Sequence, residues 1–320
     1  MARYTLRRTG AAIIVLLILS FVAFMLINLA PGNALLAQIA TSGSIGATTN
    51  SEQLALFEKE LGLDRPVLER YGDWLWNALQ GDLGKSLVNR DSVSKRIGQR
   101  LPTSIELLVI GSIVAGLAVP LGVMSAVRHG GKLDYSSRVF AILGLAIPNF
   151  FIGVIVILIF SRWFNLSLPT VPPAEIWEDP VVNLQKVIAP GLVLGVALIA
   201  TVMRMARSSS LEVLNEDYVR TARAKGLRER VIVMRHVVRN SMIPIITIYG
   251  NQFAFFLGGA VIIEQLFLVP GIGQMTITAI NQRDYPLVMG ATFVLGTVVV
   301  FTNLVVDLSY GLIDPRIRYG

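Results

Sequence analysis

The sequence predicts an all-α integral membrane protein with six transmembrane helices, and three observations carry that prediction. Of 320 residues, 53% are hydrophobic and only 15% charged, whereas a soluble domain carries roughly 25% charged residues, so much of the surface must face lipid. Six windows are free of charge and long enough to cross a bilayer core, which needs about 20 apolar helical residues. The windows do not alternate polar and apolar residues as half-buried strands do. Finally, the basic residues gather in alternate connections between the windows.

The windows are Ala11–Ala30, Leu107–Val127, Val139–Ser161, Val187–Met203, Ser241–Ile263 and Pro286–Val306. Arg3, Arg7 and Arg8 precede the first, as in a signal peptide. Its apolar run is longer than the roughly 7–15 residues of such a region, so it is read as a retained span. The net charge is +7. Seventeen Lys and Arg lie in the N-terminus, 128–138, 204–240 and the tail, against Lys186 and Arg283 in the opposite short connections. Basic loops stay cytoplasmic, so both termini are expected inside and residues 31–106 outside. The basic excess is thereby explained as topogenic, and no nucleic-acid partner is expected. The chain has no cysteine, which excludes disulfides, thiolate metal sites and thiol nucleophiles.

After the first span, residues 31–50 are small and polar and read as a flexible lead-in. A helical pattern follows at Leu54, Phe57 and Leu61, with Ser51 placed to cap it. Tyr71–Leu79 holds Trp74 and Trp76, suited either to a membrane boundary or to the core of an external cap. Gly84-Lys85-Ser86 invites a phosphate-loop reading, but the glycine that motif needs five positions before Gly84 is replaced by Leu79. ATP binding by this chain is therefore not expected. The 163–186 connection, with Pro169, Pro172, Pro173 and Pro180, excludes regular helix. No His-Glu-x-x-His pair or Gly-x-Ser-x-Gly elbow is present, and His129 and His236 fall in basic loops. An enzymatic role is not expected.

The connection 204–243 between the fourth and fifth spans is the most informative. Asn215 is placed as a helix N-cap, with Glu216 and Asp217 in the first turn where the helix dipole favours anions. Arg220, Arg223 and Lys225 sit toward the other end, and Gly226 suits a left-handed stop. Tyr218 and Ala222 share a face at i, i+4, and small Ala222 and Ala224 are expected to leave room for another protein. A second helical stretch is expected over about 228–239, before Pro244 opens the fifth span.

The stretches Tyr218-Val-Arg-Thr-Ala-Arg-Ala-Lys-Gly-Leu227 and Arg235-His-Val-Val-Arg-Asn-Ser-Met-Ile-Pro244 resemble the coupling loop of binding-protein-dependent ABC importer permeases. Within that family the chain is similar to the first of the two permease subunits of the dipeptide/oligopeptide/nickel branch. Supporting stretches are Leu61-Gly-Leu-Asp-Arg-Pro66 with Gly81-Asp-Leu-Gly-Lys-Ser86, Leu101-Pro-Thr-Ser104, Val269-Pro-Gly-Ile-Gly273 and Asp314-Pro-Arg-Ile-Arg318. The general importer loop has Glu-Ala-Ala before its glycine; here Arg220-Thr221-Ala222 stands there. Glu216 or Asp217, one turn earlier, is expected to take the acidic role.

The resemblance implies a type I ABC importer permease fold with an external insertion between spans one and two. It implies residues 1–103 as an N-terminal span plus external cap segment, and 104–320 as a five-span core containing the coupling loop 204–243. The implied location is a bacterial or archaeal plasma membrane. The implied partners are a second homologous permease, two cytoplasmic ATP-binding subunits that use ATP and Mg, and an extracytoplasmic substrate-binding protein. No cofactor is expected on this chain itself. The implied cargo is dipeptides or oligopeptides, with oligosaccharide, nickel complex, glutathione or opine as alternatives on the same machine. ATPase coupling is assigned to Glu216, Asp217, Tyr218, Ala222, Ala224 and Gly226.

Polar groups within spans are candidates for the translocation path. Glu264, at the outer end of the fifth span, is expected either to line the path or to pair locally, and Gln252, Asn149 and Asn303 are uncharged candidates. Asp307 is expected to meet Arg316 or Arg318. An ion-coupled transporter would instead bury charge at span centres and break its helices. All six window centres lack charge, and Pro120 and Pro148 are read as lying near span ends. Gly111-x-x-x-Ala115 and Gly258-Gly259-Ala260 would permit close helix contact.

Overall fold

The computed structural model describes residues 2–28 and 65–313. The expectations placed on Ser51, Leu54, Phe57 and Leu61, and on the tail with Arg316 and Arg318, lie outside the described residues. Among the described residues the chain is helical, with one isolated antiparallel bridge between Lys85 and Ser92. The helices are α1 (Ala2–Asn28), α2 (Val67–Leu79), α3 (Val93–Gly116), α4 (Ala118–Val127), α5 (Lys132–Ala146) and α6 (Asn149–Trp163). They continue as α7 (Pro180–Leu214), α8 (Asp217–Ala224), α9 (Glu229–Ile232), α10 (Arg239–Phe267), α11 (Ile272–Asn281) and α12 (Tyr285–Ile313). A π-helical segment, Val233–Val238, joins α9 to α10.

Among the described residues, four stretches are long and apolar enough to cross a membrane: Tyr4–Met25, Val93–Val127, Glu229–Phe267 and Tyr285–Ser309. Two bent pairs, α5 with α6 and the two halves of α7, raise the number to as many as six. The chain is thus a multi-pass membrane protein.

The third window is not one straight helix. α5 and α6 meet at 99° across Ile147 and Pro148. Ile147 is extended (φ −95°, ψ 122°) because proline disfavours helical geometry in the residue before it. Pro148 then opens α6, its carbonyl accepting from Phe151 N–H at 3.0 Å. The sequence reading put Pro148 near a span end; it sits at the middle of the window and breaks it. Pro244, expected to open the fifth span, lies inside α10, which is continuous from the π segment.

Two compact units share the chain and are each discontinuous in sequence. The first comprises Met1–Thr9, Thr103–Pro270 and Phe301–Gly320. Its core brings together Ala118, Ala141, Ala200, Val202, Met203, Ala206 and Ile245. Glycines let its helices approach closely. A Cβ on Gly122 would lie 2.6 Å from Met203 O, and one on Gly195 2.6 Å from Val114 Cβ. Gly111 faces Phe256 and the Gly191 carbonyl, and Ala115 is fully buried. The Gly111-x-x-x-Ala115 seam therefore serves packing within the chain. Gly258 has no atom near the place of its missing Cβ.

In the same unit, Arg8 pairs with Asp307 at 3.1 Å, and Tyr4 donates to the Asp307 carbonyl at 2.9 Å. The expected meeting of Asp307 with Arg316 or Arg318 lies outside the described residues.

The second unit comprises Gly10–Pro102 and Gly271–Val300. Its core holds Leu83, Val93, Ile97, Ile272, Met275, Ala279, Leu287 and Ala291. Trp74 packs edge-on to Phe293 and near Phe24, while Trp76 is exposed. The Gly84-Lys85-Ser86 stretch folds onto the fully buried Asp284. Ser86 Oγ donates to that carboxylate, Leu87 N–H donates to it at 3.1 Å, and Arg96 lies 3.6 Å away. These donors are directed at a carboxylate inside the chain, the opposite of an open phosphate cradle.

Candidate coupling site

α8 is eight residues long, too short to persist alone in water, so its footing matters more than its propensity. Val219 is fully buried and Ala222 is 6% exposed, both packed on Ile232 of α9 and Val237 of the π segment. Val213 and Leu214, at the end of α7, close the same cluster. Burying a valine side chain is worth about 1.5–3 kcal/mol, comparable to everything else that holds so short a helix.

The ends are held differently from the sequence expectation. Asn215 closes α7 instead of capping α8, its Nδ2 donating to Leu211 O at 3.0 Å. Glu216 occupies the N-cap position in extended geometry (φ −68°, ψ 144°) with no side-chain cap bond. Gly226 does form the left-handed stop, at φ +75°. Gly226 N–H donates to Arg223 O at 2.9 Å and Leu227 N–H to Ala222 O at 3.3 Å. That pair of bonds is the Schellman arrangement, which satisfies the last carbonyls of the helix. Arg223 then bridges forward to Glu229 at 2.7 Å, across the turn into α9.

What faces outward is a compact mixed edge. Glu216, Asp217, Tyr218, Ala224 and Gly226 are exposed. Asp217 pairs with Arg220 at 3.3 Å at the surface, a contact worth at most about 1 kcal/mol and free to exchange for a partner's charge. Tyr218, 43% exposed, accepts from Asn240 Nδ2 at 3.0 Å while that same amide donates to His236 O at 2.9 Å. Ala222 is a correction: it was assigned to the docking face, and it points into the footing because the inward stripe runs through Val219 and Ala222. The i, i+3 spacing of those two residues was the signal available for that orientation. Nothing in the sequence marked Asn240 or the π segment.

The candidate path residues are scattered. Glu264 is 1% exposed, near the C-terminal end of α10, and Ser104 Oγ donates to its Oε1 at 2.7 Å. It therefore faces α3 inside its own unit. This brings the Leu101-Pro-Thr-Ser104 motif to the end of the fifth apolar window. Asn149 is half-buried at the start of α6, Gln252 is half-buried on α10, and Asn303 is exposed on α12. A Cβ on Gly259 would lie 3.9 Å from Asn149 Nδ2.

Two buried groups escaped the sequence reading. Asn183 donates to Glu106 at 2.9 Å and to Ala174 O at 3.0 Å, and buried Lys186 donates to Pro169 O at 2.9 Å. The proline-rich connection is thereby tied to the start of α7.

Among the described residues no cluster of His, Asp or Glu could hold a metal ion. The site is an exposed mixed edge of charged, aromatic and small residues on a buried apolar footing.

Comparison with known proteins agrees with that arrangement. Residues 118–319 match the family described as binding-protein-dependent transport system inner membrane component, and residues 1–108 match its N-terminal component. A putative peptide permease protein of Brucella suis is 41% identical over 99% of both chains. The oligopeptide transport system permease protein AppB of Bacillus subtilis is 38% identical over the full length of both. The dipeptide transport system permease protein DppB of Escherichia coli is 34% identical over 100% of this chain and 99% of its own. With both family segments matched and full-length relatives well above 30% identity, the chain belongs to the binding-protein-dependent transport system inner membrane components.

Proposed function

We propose that this chain is one of two permease subunits of an ATP-driven importer of dipeptides or oligopeptides. The full-length likeness to relatives named as peptide, oligopeptide and dipeptide permeases supports the cargo. The carrying structural observation is α8 itself: a short helix, closed by Gly226, seated on Val219 and Ala222, with Glu216, Asp217 and Tyr218 outward. In this reading the second permease supplies the other half of the path, two cytoplasmic ATPases use ATP and Mg, and an external binding protein delivers the peptide. Six spans follow when α5 with α6 and the two halves of α7 each cross once, with both termini cytoplasmic. Residues 31–103 then form the external insertion, and Glu264, Gln252, Asn149 and Asn303 are the polar groups to test along the path.

The mechanism follows from the footing. Closure of the ATPase pair displaces α8. Val219 and Ala222 press on Ile232 and Val237, and the π segment runs without a break into α10. A helix pushed at one end moves as a rod, so the bundle tilts as a rigid body and the path opens to the other side. The bend at Pro148 is a feature that an ion-coupled carrier would also show, so it is the full-length likeness to named peptide permeases that favours the ATP-driven reading.

The reading is tested in vesicles holding the assembled transporter, the binding protein and ATP. Labelled dipeptide should accumulate against its gradient only when the ATPases are active. Accumulation with hydrolysis-dead ATPases, or on an ion gradient alone, would sink it.

A further inference from the structure

At the coupling-loop end of the first unit, a cleft of ≈ 260 Å³ opens between α5 and α7. Arg138, Arg204 and Arg207 line it together with Ile142, Leu145 and Met203. Chain order places these groups in depth. α5 enters the unit from Lys132, so Arg138 comes first and Ile142 and Leu145 follow one and two turns deeper. α7 leaves the unit at Leu214, so Arg207 and Arg204 occupy the same end as Arg138. The cleft therefore has a basic mouth and an apolar wall.

The charges are not cancelled locally. Asp134, fully buried at the start of α5, faces this end and accepts from Arg207 Nε at 2.5 Å and Nη2 at 3.0 Å. Its oxygens also accept from Ser125 Oγ at 2.7 Å and Gly130 N–H at 3.0 Å. Arg138 reaches the same carboxylate only at 3.7 Å, with its side chain 51% exposed. One carboxylate offsets one of three guanidinium groups, leaving an excess of two positive charges at the mouth. Ile142 is 67% and Leu145 47% exposed, an apolar surface inside the third apolar window that an acyl chain can cover.

We propose that this cleft binds an anionic phospholipid from the leaflet on the coupling-loop side. The phosphodiester sits between Arg138 and Arg204, and one acyl chain lies along Ile142 and Leu145. Guanidinium groups match phosphate oxygens in geometry as well as charge. Basic pockets between membrane helices bind anionic head groups where the same pocket continues into hydrocarbon. A free phosphate would satisfy the arginines but make no use of the apolar wall, which lies within the third apolar window, so the two halves of the cleft together select an amphiphile. The bound lipid would brace α5 against α7 directly beside the loop that carries α8.

The test uses the full-length chain, purified in detergent with the subunits that accompany it. Retention of dioleoyl phosphatidylglycerol and dioleoyl phosphatidylcholine is measured by native mass spectrometry, apart from any transport assay. Phosphatidylglycerol should be retained and phosphatidylcholine should not. Arg138→Gln with Arg204→Gln should weaken retention about thirtyfold, from roughly 1 kcal/mol for each of the two basic residues. Ile142→Trp, which leaves all three arginines and fills the apolar half, should weaken it too. Undiminished retention in either variant overturns the proposal. So does competition by inorganic phosphate at the lipid's own concentration, which would mark a site for free anions. The chain has no native cysteine, so Ile142→Cys can be cross-linked cleanly. High-yield cross-linking of that thiol to a neighbouring subunit would show that protein covers the cleft, and would also overturn it.

Discussion

The Tyr218 hydroxyl accepts a hydrogen bond from Asn240 Nδ2 at 3.0 Å, joining the outward edge of α8 to the first turn of α10. The two residues are 22 positions apart, and the π segment lies between them. The bond gives α8 a second attachment to α10 besides its apolar footing. A neutral hydrogen bond contributes about 0.5–1.5 kcal/mol. Tyr218→Phe should therefore leave folding and ATP hydrolysis near normal while raising the ATP hydrolysed per peptide imported by roughly two- to tenfold. Paired uptake and phosphate-release assays measure that ratio. An unchanged ratio would mean the footing alone transmits the movement.

Glu216 and Asp217 carry the exposed negative charge at the start of α8, and among the described residues Asp217 makes a surface ion pair with Arg220. Reversing both, Glu216→Lys with Asp217→Lys, disturbs no buried group. Membrane insertion should be unaffected, while ATP hydrolysis should no longer respond to the loaded binding protein. Normal coupling in that variant would place docking on Tyr218 and the apolar edge instead of on charge.

How much of this was legible in the sequence depended on how local its cause was. The Gly226 stop was readable because a single residue type suits its backbone conformation. The helical character and placement of the apolar windows were readable from composition. That Asn215 closes α7 and leaves the α8 N-cap position to Glu216 was not, because the same polar residue suits either place, and the chain between α7 and α8 is only two residues long. The i, i+3 spacing of Val219 and Ala222 marked a shared face, but that this face turns inward depends on Ile232 and Val237, ten and fifteen positions beyond Ala222. Glu264 was weighed by charge and depth, but its environment is set by Ser104, 160 residues earlier. The break at Pro148 was available in principle from the rule on residues preceding proline, and the charge-free run around it concealed it.

At Gly226 the positive φ is a requirement of the turn, and an added Cβ would meet no atom within 4 Å. Any penalty for substitution is therefore conformational. Gly226→Ala should cost about 1–2 kcal/mol of local stability, Gly226→Val more, and Gly226→Asn least, since asparagine tolerates the left-handed region. Limited proteolysis of the 204–243 loop in inverted vesicles reads this directly. Cleavage should quicken in the order Asn, Ala, Val, with peptide uptake falling in the same order. Equal protection in all three would show that partners, not the Schellman turn, hold the loop.

The pair of Asp134 with Arg207 makes the strongest stability prediction. Asp134 has no exposed surface, and the Arg207 side chain is 19% exposed. Removing one partner of such a pair leaves the other desolvated, at a cost of about 3–5 kcal/mol. Asp134→Ala should therefore lower the yield of folded complex and its thermal midpoint sharply. It also removes the carboxylate to which Ser125 Oγ and the Gly130 N–H donate, leaving Ser125 Oγ with Ser137 Oγ at 2.7 Å. Adding Arg207→Met removes the stranded guanidinium, and replacing both charges with apolar groups is often close to neutral. The double variant should thus recover most of the lost stability. A double variant as unstable as Asp134→Ala would show that the damage comes from the freed Ser125 and Gly130 groups, and that the ion pair itself contributes little to holding α5 against α7.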